Sequence, residues 1–87
     1  MGQKITMTAD GALTVPDEPI IPFIEGDGSG VDIWPAAKLV LDAAAARHGH
    51  SVDWREVLAG EKAYNEVGEW LPQETVETFD ECMIGIK

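Results

Sequence analysis

The sequence predicts an α/β chain built on a parallel, helix-covered sheet, and three observations predict it. The apolar run Ile20-Ile21-Pro22-Phe23-Ile24 stops at acids and alternating glycines, as a buried strand does on entering a tight turn. A helical pattern begins directly behind that turn, at Val31. From there strand-like and helix-like stretches alternate to Lys87, and such alternation favours parallel pairing through helical crossovers. The expected order is hairpin, strand, helix, strand, helix, strand. A parallel sheet needs both faces covered, and 87 residues cover only part of one. The expectation is an incomplete sheet in a fragment of a larger domain, with residues 1–18 as hairpin and connector and residues 19–87 as a βαβαβ segment.

Each element has its own local reason. Lys4 to Pro16 reads as a β-hairpin: Ile5 and Met7 alternate with Thr6 and Thr8, Asp10-Gly11 is a favoured turn dipeptide, and Leu13 and Val15 alternate on the return. A lone hairpin is barely stable in water, so this one should lie on something larger. Pro22 removes a ladder donor, which places it near the start of its strand or at a bulge. Val31 to Arg47 is the clearest helix, with Asp32 as a candidate cap, Pro35 in its first turn and Ala36, Leu39, Val40, Ala43 and Ala44 as the apolar stripe. Gly49 suits the position just past its end, and Arg47 and His48 suit the negative end of a helix. His48 and His50 have no cysteine or further histidine beside them and read as helix-end residues. Ser51 to Leu58 reads as a second strand with Val52, Trp54 and Glu56 on one side, and Gly60 to Trp70 as a polar irregular loop anchored by Tyr64 and Trp70. Pro72 opens another helix with Val76 and Phe79 inward, and Met83 to Ile86 begins a third strand.

The turn Glu25-Gly26-Asp27-Gly28-Ser29-Gly30 is the candidate site, because ligands gather at the carboxyl ends of strands in open α/β sheets. Its glycines fit neither common phosphate signature. The third glycine of G-x-G-x-x-G falls on Val31 or Ile33, and no lysine follows Gly30 as a P-loop requires. Glu25 and Asp27 oppose an anion at the helix start, so ribose hydroxyls, an amide or a cation suit the turn better than a pyrophosphate. The alternative is a purely structural turn whose glycines only supply positive φ.

Composition excludes other classes. A net charge of −10 argues against nucleic acid and against an anionic membrane surface as partners. No apolar run approaches the ~20 residues of a membrane span, and the N-terminus has no export-type apolar region, which leaves a cytoplasmic setting as the expectation. Cys82 stands alone, so neither a disulfide framework nor a thiolate metal site is available.

The segments P-I-I-P-F-I-E-G-D-G-S-G-V-D, G-E-K-A-Y and W-L-P-Q-E-T, in that order, resemble the start of the isocitrate/isopropylmalate (β-decarboxylating) dehydrogenase family. Glu25 before the turn and Val31-Asp32 after it are similar to its NADP-dependent isocitrate-oxidising branch. The resemblance implies the family's own α/β fold rather than a Rossmann fold. It also implies oxidation of isocitrate by hydride transfer to NADP, with loss of carbon dioxide, a divalent Mg²⁺ or Mn²⁺ ion, and a homodimer whose active site the partner subunit completes. It matches Gly28, Ser29 and Gly30 to the loop approaching the nicotinamide-ribose side of the cofactor, with Ser29 a departure from the usual Ile or Thr. Lys87 matches the lysine just before the substrate- and cofactor-binding loop. Asp32, Glu61 and Lys62 fall in matching segments but read as a cap and a surface charge pair. No catalytic residue and no metal ligand is assigned within the chain, and the 87 residues alone are expected to be inactive. The competing readings are a free-standing acidic α/β interaction module and a family member acting on isopropylmalate or tartrate.

Overall fold

The apolar run at 20–24 forms the strand around which the rest is arranged. The structure, a computed structural model, describes residues 2–87. In chain order the elements are β1 (Thr6–Met7), β2 (Leu13–Thr14), β3 (Ile20–Phe23), α1 (Gly30–Arg47), β4 (Asp53–Glu56), α2 (Glu61–Val67) and α3 (Gln73–Cys82). Strands β3 and β4 pair in parallel, with Ile20 opposite Asp53 and Phe23 opposite Glu56, and α1 is the crossover between them. This is the expected partial α/β architecture.

Pro22 is an exception to expectation with a clear cause. It sits inside β3 in regular register and is fully buried, rather than at the strand's start or at a bulge. In a parallel ladder alternate residues bond to opposite neighbours. Here the Pro19 and Phe23 carbonyls accept from Asp53 in β4 and Val57 just past it, whereas Ile20 N–H donates to Gln3 and Ile24 N–H donates to Ile86. The donor that Pro22 lacks would face that second side, where the neighbour changes from Gln3 to Ile86. Its carbonyl still accepts from Ile86 N–H at 3.1 Å. A proline is tolerated where the ladder is already interrupted.

The hairpin forms as expected, with Thr6 opposite Thr14 and Met7 opposite Leu13. Its turn is a three-residue loop rather than a two-residue one. Gly11 N–H donates to the Thr8 carbonyl at 3.0 Å and Gly11 takes φ 87°, the turn-plus-bulge arrangement that suits glycine. Ile5 is buried, while Met7, Leu13 and Val15 stay exposed.

Helix α1 ends as its sequence predicts. His50 and Gly49 N–H groups donate back to the Ala45 and Ala46 carbonyls, and Gly49 holds φ 76°. That reciprocal pair is the Schellman arrangement. The helix start differs, because Ser29 rather than Asp32 occupies the N-cap position and makes no side-chain capping bond; Asp32 lies in the first turn. The buried face also differs. Trp34 is buried with Ala37, Lys38, Asp42 and Ala45 half-buried on its side, whereas Leu39 is 73% and Val40 67% exposed. Both stripes are rich in apolar residues, so periodicity alone favoured the one without charges. The inner face carries Lys38 and Asp42 because they are satisfied there: Lys38 donates to Asp42 at 2.9 Å and the Trp54 indole N–H donates to Asp42 at 2.8 Å.

The helix-to-sheet contact is aromatic. Phe23 stacks on Trp34 with centroids 4.2 Å apart, and Trp54 meets both rings edge-on at 6.3 and 5.1 Å. Burial of a side chain such as Phe23 contributes roughly 1.5–3 kcal/mol, so this triad is a main attachment of α1.

The second half holds three corrections. Residues expected to form an irregular loop contain α2, closed by Gly68 at φ 80°. The Tyr64 and Trp70 rings stack at 4.8 Å but remain about half exposed. In α3 the buried positions are Thr75 and Cys82, while Val76 is exposed and Phe79 half-buried. Thr75 turns inward because its hydroxyl donates to the Leu58 carbonyl at 2.6 Å. The expected third strand is reduced to one parallel bridge, Phe23 with Ile86, since Met83 caps α3 in the left-handed region at φ 68°. Beyond it, the Phe79 ring lies against Gly85, where a Cβ would come within 2.2 Å of it.

Candidate functional site

The turn leaves the carboxyl end of β3, and its shape follows from three glycines with different duties. Gly26 and Gly28 adopt φ 82° and 58°, conformations in which side-chain-bearing residues are disfavoured. Gly30 is needed for space instead, because a Cβ there would lie 2.1 Å from the Glu25 carbonyl oxygen. Gly30 N–H donates to the Asp27 carbonyl at 3.1 Å, and the Ser29 carbonyl accepts from Asp32 and Ile33 to start α1. Gly28 and Ser29 are exposed, and nothing lies within 4 Å of where a Gly28 side chain would begin.

Asp27 does not face that open side. Its carboxylate reaches across to α2 and accepts from Glu61 N–H at 2.9 Å and Lys62 N–H at 3.2 Å. A carboxylate from 34 and 35 residues upstream therefore caps this helix. Gly60, at φ 83°, makes room for it: a Cβ there would be 2.4 Å from Asp27 Oδ2. The acid that sequence reasoning took as repelling anions is thus occupied by backbone donors. The signal for this link was present as a helix-forming stretch, Glu61 to Glu66, preceded by a glycine with no local capping side chain.

Turn and helix border an open cleft of about 450 Å³ lined by Gly26, Asp27, Gly28, Val31, Lys62 and Glu66 among others. Lys62 does not pair with Glu61 as expected; it bonds Glu56 at 2.6 Å, across to the end of β4. That hydrogen bond lifts the Lys62 ammonium above its ordinary pKa; desolvation opposes the rise, and the charges of Glu56, Glu25 and Glu66 add to it. The cleft thus holds a firmly protonated lysine among acids. A second cleft of about 420 Å³ lies beside Leu58, Val67, Pro72 and Thr75.

Lys87 is exposed and one residue beyond the bridge that pairs Ile86 with Phe23, so it leaves the sheet at the same carboxyl edge as the turn. Gly28, Ser29, Gly30 and Lys87 therefore share an edge, though no hydrogen bond joins Lys87 to the turn among the described residues. Those residues contain no group of three or more His, Cys, Asp or Glu side chains arranged to hold a metal ion. No helix among them is long and apolar enough to cross a membrane.

The strand, glycine turn and crossover helix fall within a recognised pattern, for the family model described as isocitrate/isopropylmalate dehydrogenase matches residues 20–87. The chain belongs to that family. Among its relatives, isocitrate dehydrogenase (NADP) of Staphylococcus epidermidis is 60% identical over 88 residues, covering 98% of this chain and 21% of that protein. The proteins of the same name from Staphylococcus aureus and Streptococcus mutans are 56% and 53% identical, the latter across 100% of this chain and 23% of its own length. The chain spans about a fifth of the length of the curated relatives it matches. That coverage agrees with the expectation of an N-terminal fragment of such an enzyme.

Proposed function

We propose that this chain is the N-terminal part of an enzyme that converts isocitrate to 2-oxoglutarate and carbon dioxide while reducing NADP, working as a cytoplasmic homodimer. The observation that carries the reading is 60% identity, over 98% of this chain, to a relative named for that substrate class and cofactor. In this reading NADP, when bound, would supply the acceptor for the hydride leaving the 2-hydroxyl carbon of isocitrate. Gly28, Ser29 and Gly30 form the wall that the nicotinamide-ribose end approaches, and Lys87 stands at the same edge. The fit is to ribose hydroxyls, an amide or a cationic ring rather than to an anion. Gly28 presents bare backbone to open space, and the nearby Glu25, Glu61 and Glu66 disfavour a phosphate there. The described residues do not fit the divalent ion of that reaction, so it would be held outside them.

The test is Gly28→Asn in the full-length protein. Asparagine tolerates the left-handed region, and its side chain would enter the space the cofactor is to use. The expected result is a raised KM for NADP with nearly unchanged thermal stability. Lower stability with normal NADP affinity would show the turn to be structural only.

A further inference from the structure

We propose that Asp27 is a positioning residue, and that its bonds to α2 set the shape of the cofactor-facing turn. This rests on the reading that the turn meets NADP, and deepens it. Asp27 lies between two left-handed glycines, Gly26 and Gly28, which let the chain reverse on either side of it. Its backbone carbonyl accepts from Gly30 inside the turn, while its two carboxylate oxygens accept from consecutive amides of α2. One residue thereby ties the turn to a helix more than thirty positions away. No bond from α2's own flanking residues replaces it, because the cap position is Gly60.

The far side of that joint is equally specific. Gly60 N–H donates to the Trp70 carbonyl at 2.7 Å, and Tyr64 stacks on Trp70, so residues 60–70 close on themselves as a unit. Asp27 fastens this unit to the turn, and the left-handed Gly60 keeps the approach clear of a Cβ. Both carboxylate oxygens are also engaged by α2 amides. Asp27 therefore does two things for a cofactor: it holds Gly28 and Ser29 in place, and it spends its negative charge on α2 amides.

The experiment compares wild type, Asp27→Ala, Asp27→Asn and Gly60→Ala in the full-length protein. Steady-state kinetics of isocitrate-dependent NADP reduction are combined with amide hydrogen exchange. Asp27→Ala is expected to raise the KM for NADP roughly five- to tenfold, the scale of a lost helix cap, with a smaller change in kcat. Asparagine keeps one acceptor oxygen and should recover much of that loss. Gly60→Ala perturbs the joint from α2 without touching the turn's sequence and should reproduce the KM effect. The amides of Glu61 and Lys62 and that of Gly30, which donates to the Asp27 carbonyl, should lose protection together. Unchanged NADP KM in Asp27→Ala, with Gly28→Asn still raising it, overturns the positioning role but leaves the turn as a cofactor wall. No effect of either change on NADP KM overturns both. Loss of protection at 61–62 without any at Gly30 also overturns the coupling.

Discussion

Thr75 offers the sharpest test of how α3 is attached. It is a threonine on the third residue of α3, only 2% exposed, and its hydroxyl donates to the Leu58 carbonyl at 2.6 Å. That distance is at the short end for an O–H···O bond. Thr75→Val keeps the shape and the β-branch and deletes only the hydroxyl. A typical internal hydrogen bond contributes ~1 kcal/mol net, and a carbonyl left without its partner costs about 1–3 kcal/mol. Leu58 is half-buried, so water reaches its carbonyl only in part and the expected loss is about 1–2 kcal/mol. Thr75→Ser is the control, retaining the hydroxyl and losing one methyl, for roughly 0.8 kcal/mol of lost burial plus a small cavity cost. Urea unfolding followed by tryptophan fluorescence should rank wild type above Ser and Ser above Val, with unchanged denaturant slopes. A valine variant as stable as wild type, beside a serine variant that loses more, would refute the claim that the hydroxyl rather than the methyl holds this position.

Two further outcomes follow from the same geometry. Gly30→Ala should destabilise although alanine favours helix by up to ~1 kcal/mol, because the added Cβ meets the Glu25 carbonyl at 2.1 Å and overpacking of that kind costs about 1–3 kcal/mol or more; a neutral unfolding midpoint would contradict the close approach. Asp42 is held below its ordinary carboxyl pKa by the hydrogen bond from Lys38 first and from the Trp54 indole second, with desolvation opposing. Its contribution is fully present above the unfolded value near ~3.9 and is lost as pH falls through the lower folded value. Asp42→Asn should therefore flatten the acid limb of the stability profile below pH ~4, and an unchanged limb would argue against the pairing.

The legible parts of this protein are those with local causes. The end of α1 was readable because Gly49 and the basic residues before it make a capping pattern within six residues. The run at 20–24, the glycine turn and the helix behind it were readable for the same reason. The parts that were not legible have distant causes. Helix α2 has no cap of its own and draws one from Asp27, so sequence near Gly60 read as a loop. Thr75 displaced Val76 from the buried face because Leu58 offered it a carbonyl.

By itself, then, the sequence determined the α/β alternation, the parallel crossover, the family and the glycine turn after the apolar strand. Tertiary structure alone decided which face of α1 turns inward, since its two apolar stripes are near equivalents until Trp34 finds Phe23 and Asp42 finds Trp54. It also decided where the charge of Asp27 goes. Local sequence specifies what a backbone can do, but the partner of a buried or capping group is set by chain brought close from elsewhere, and no periodicity records that.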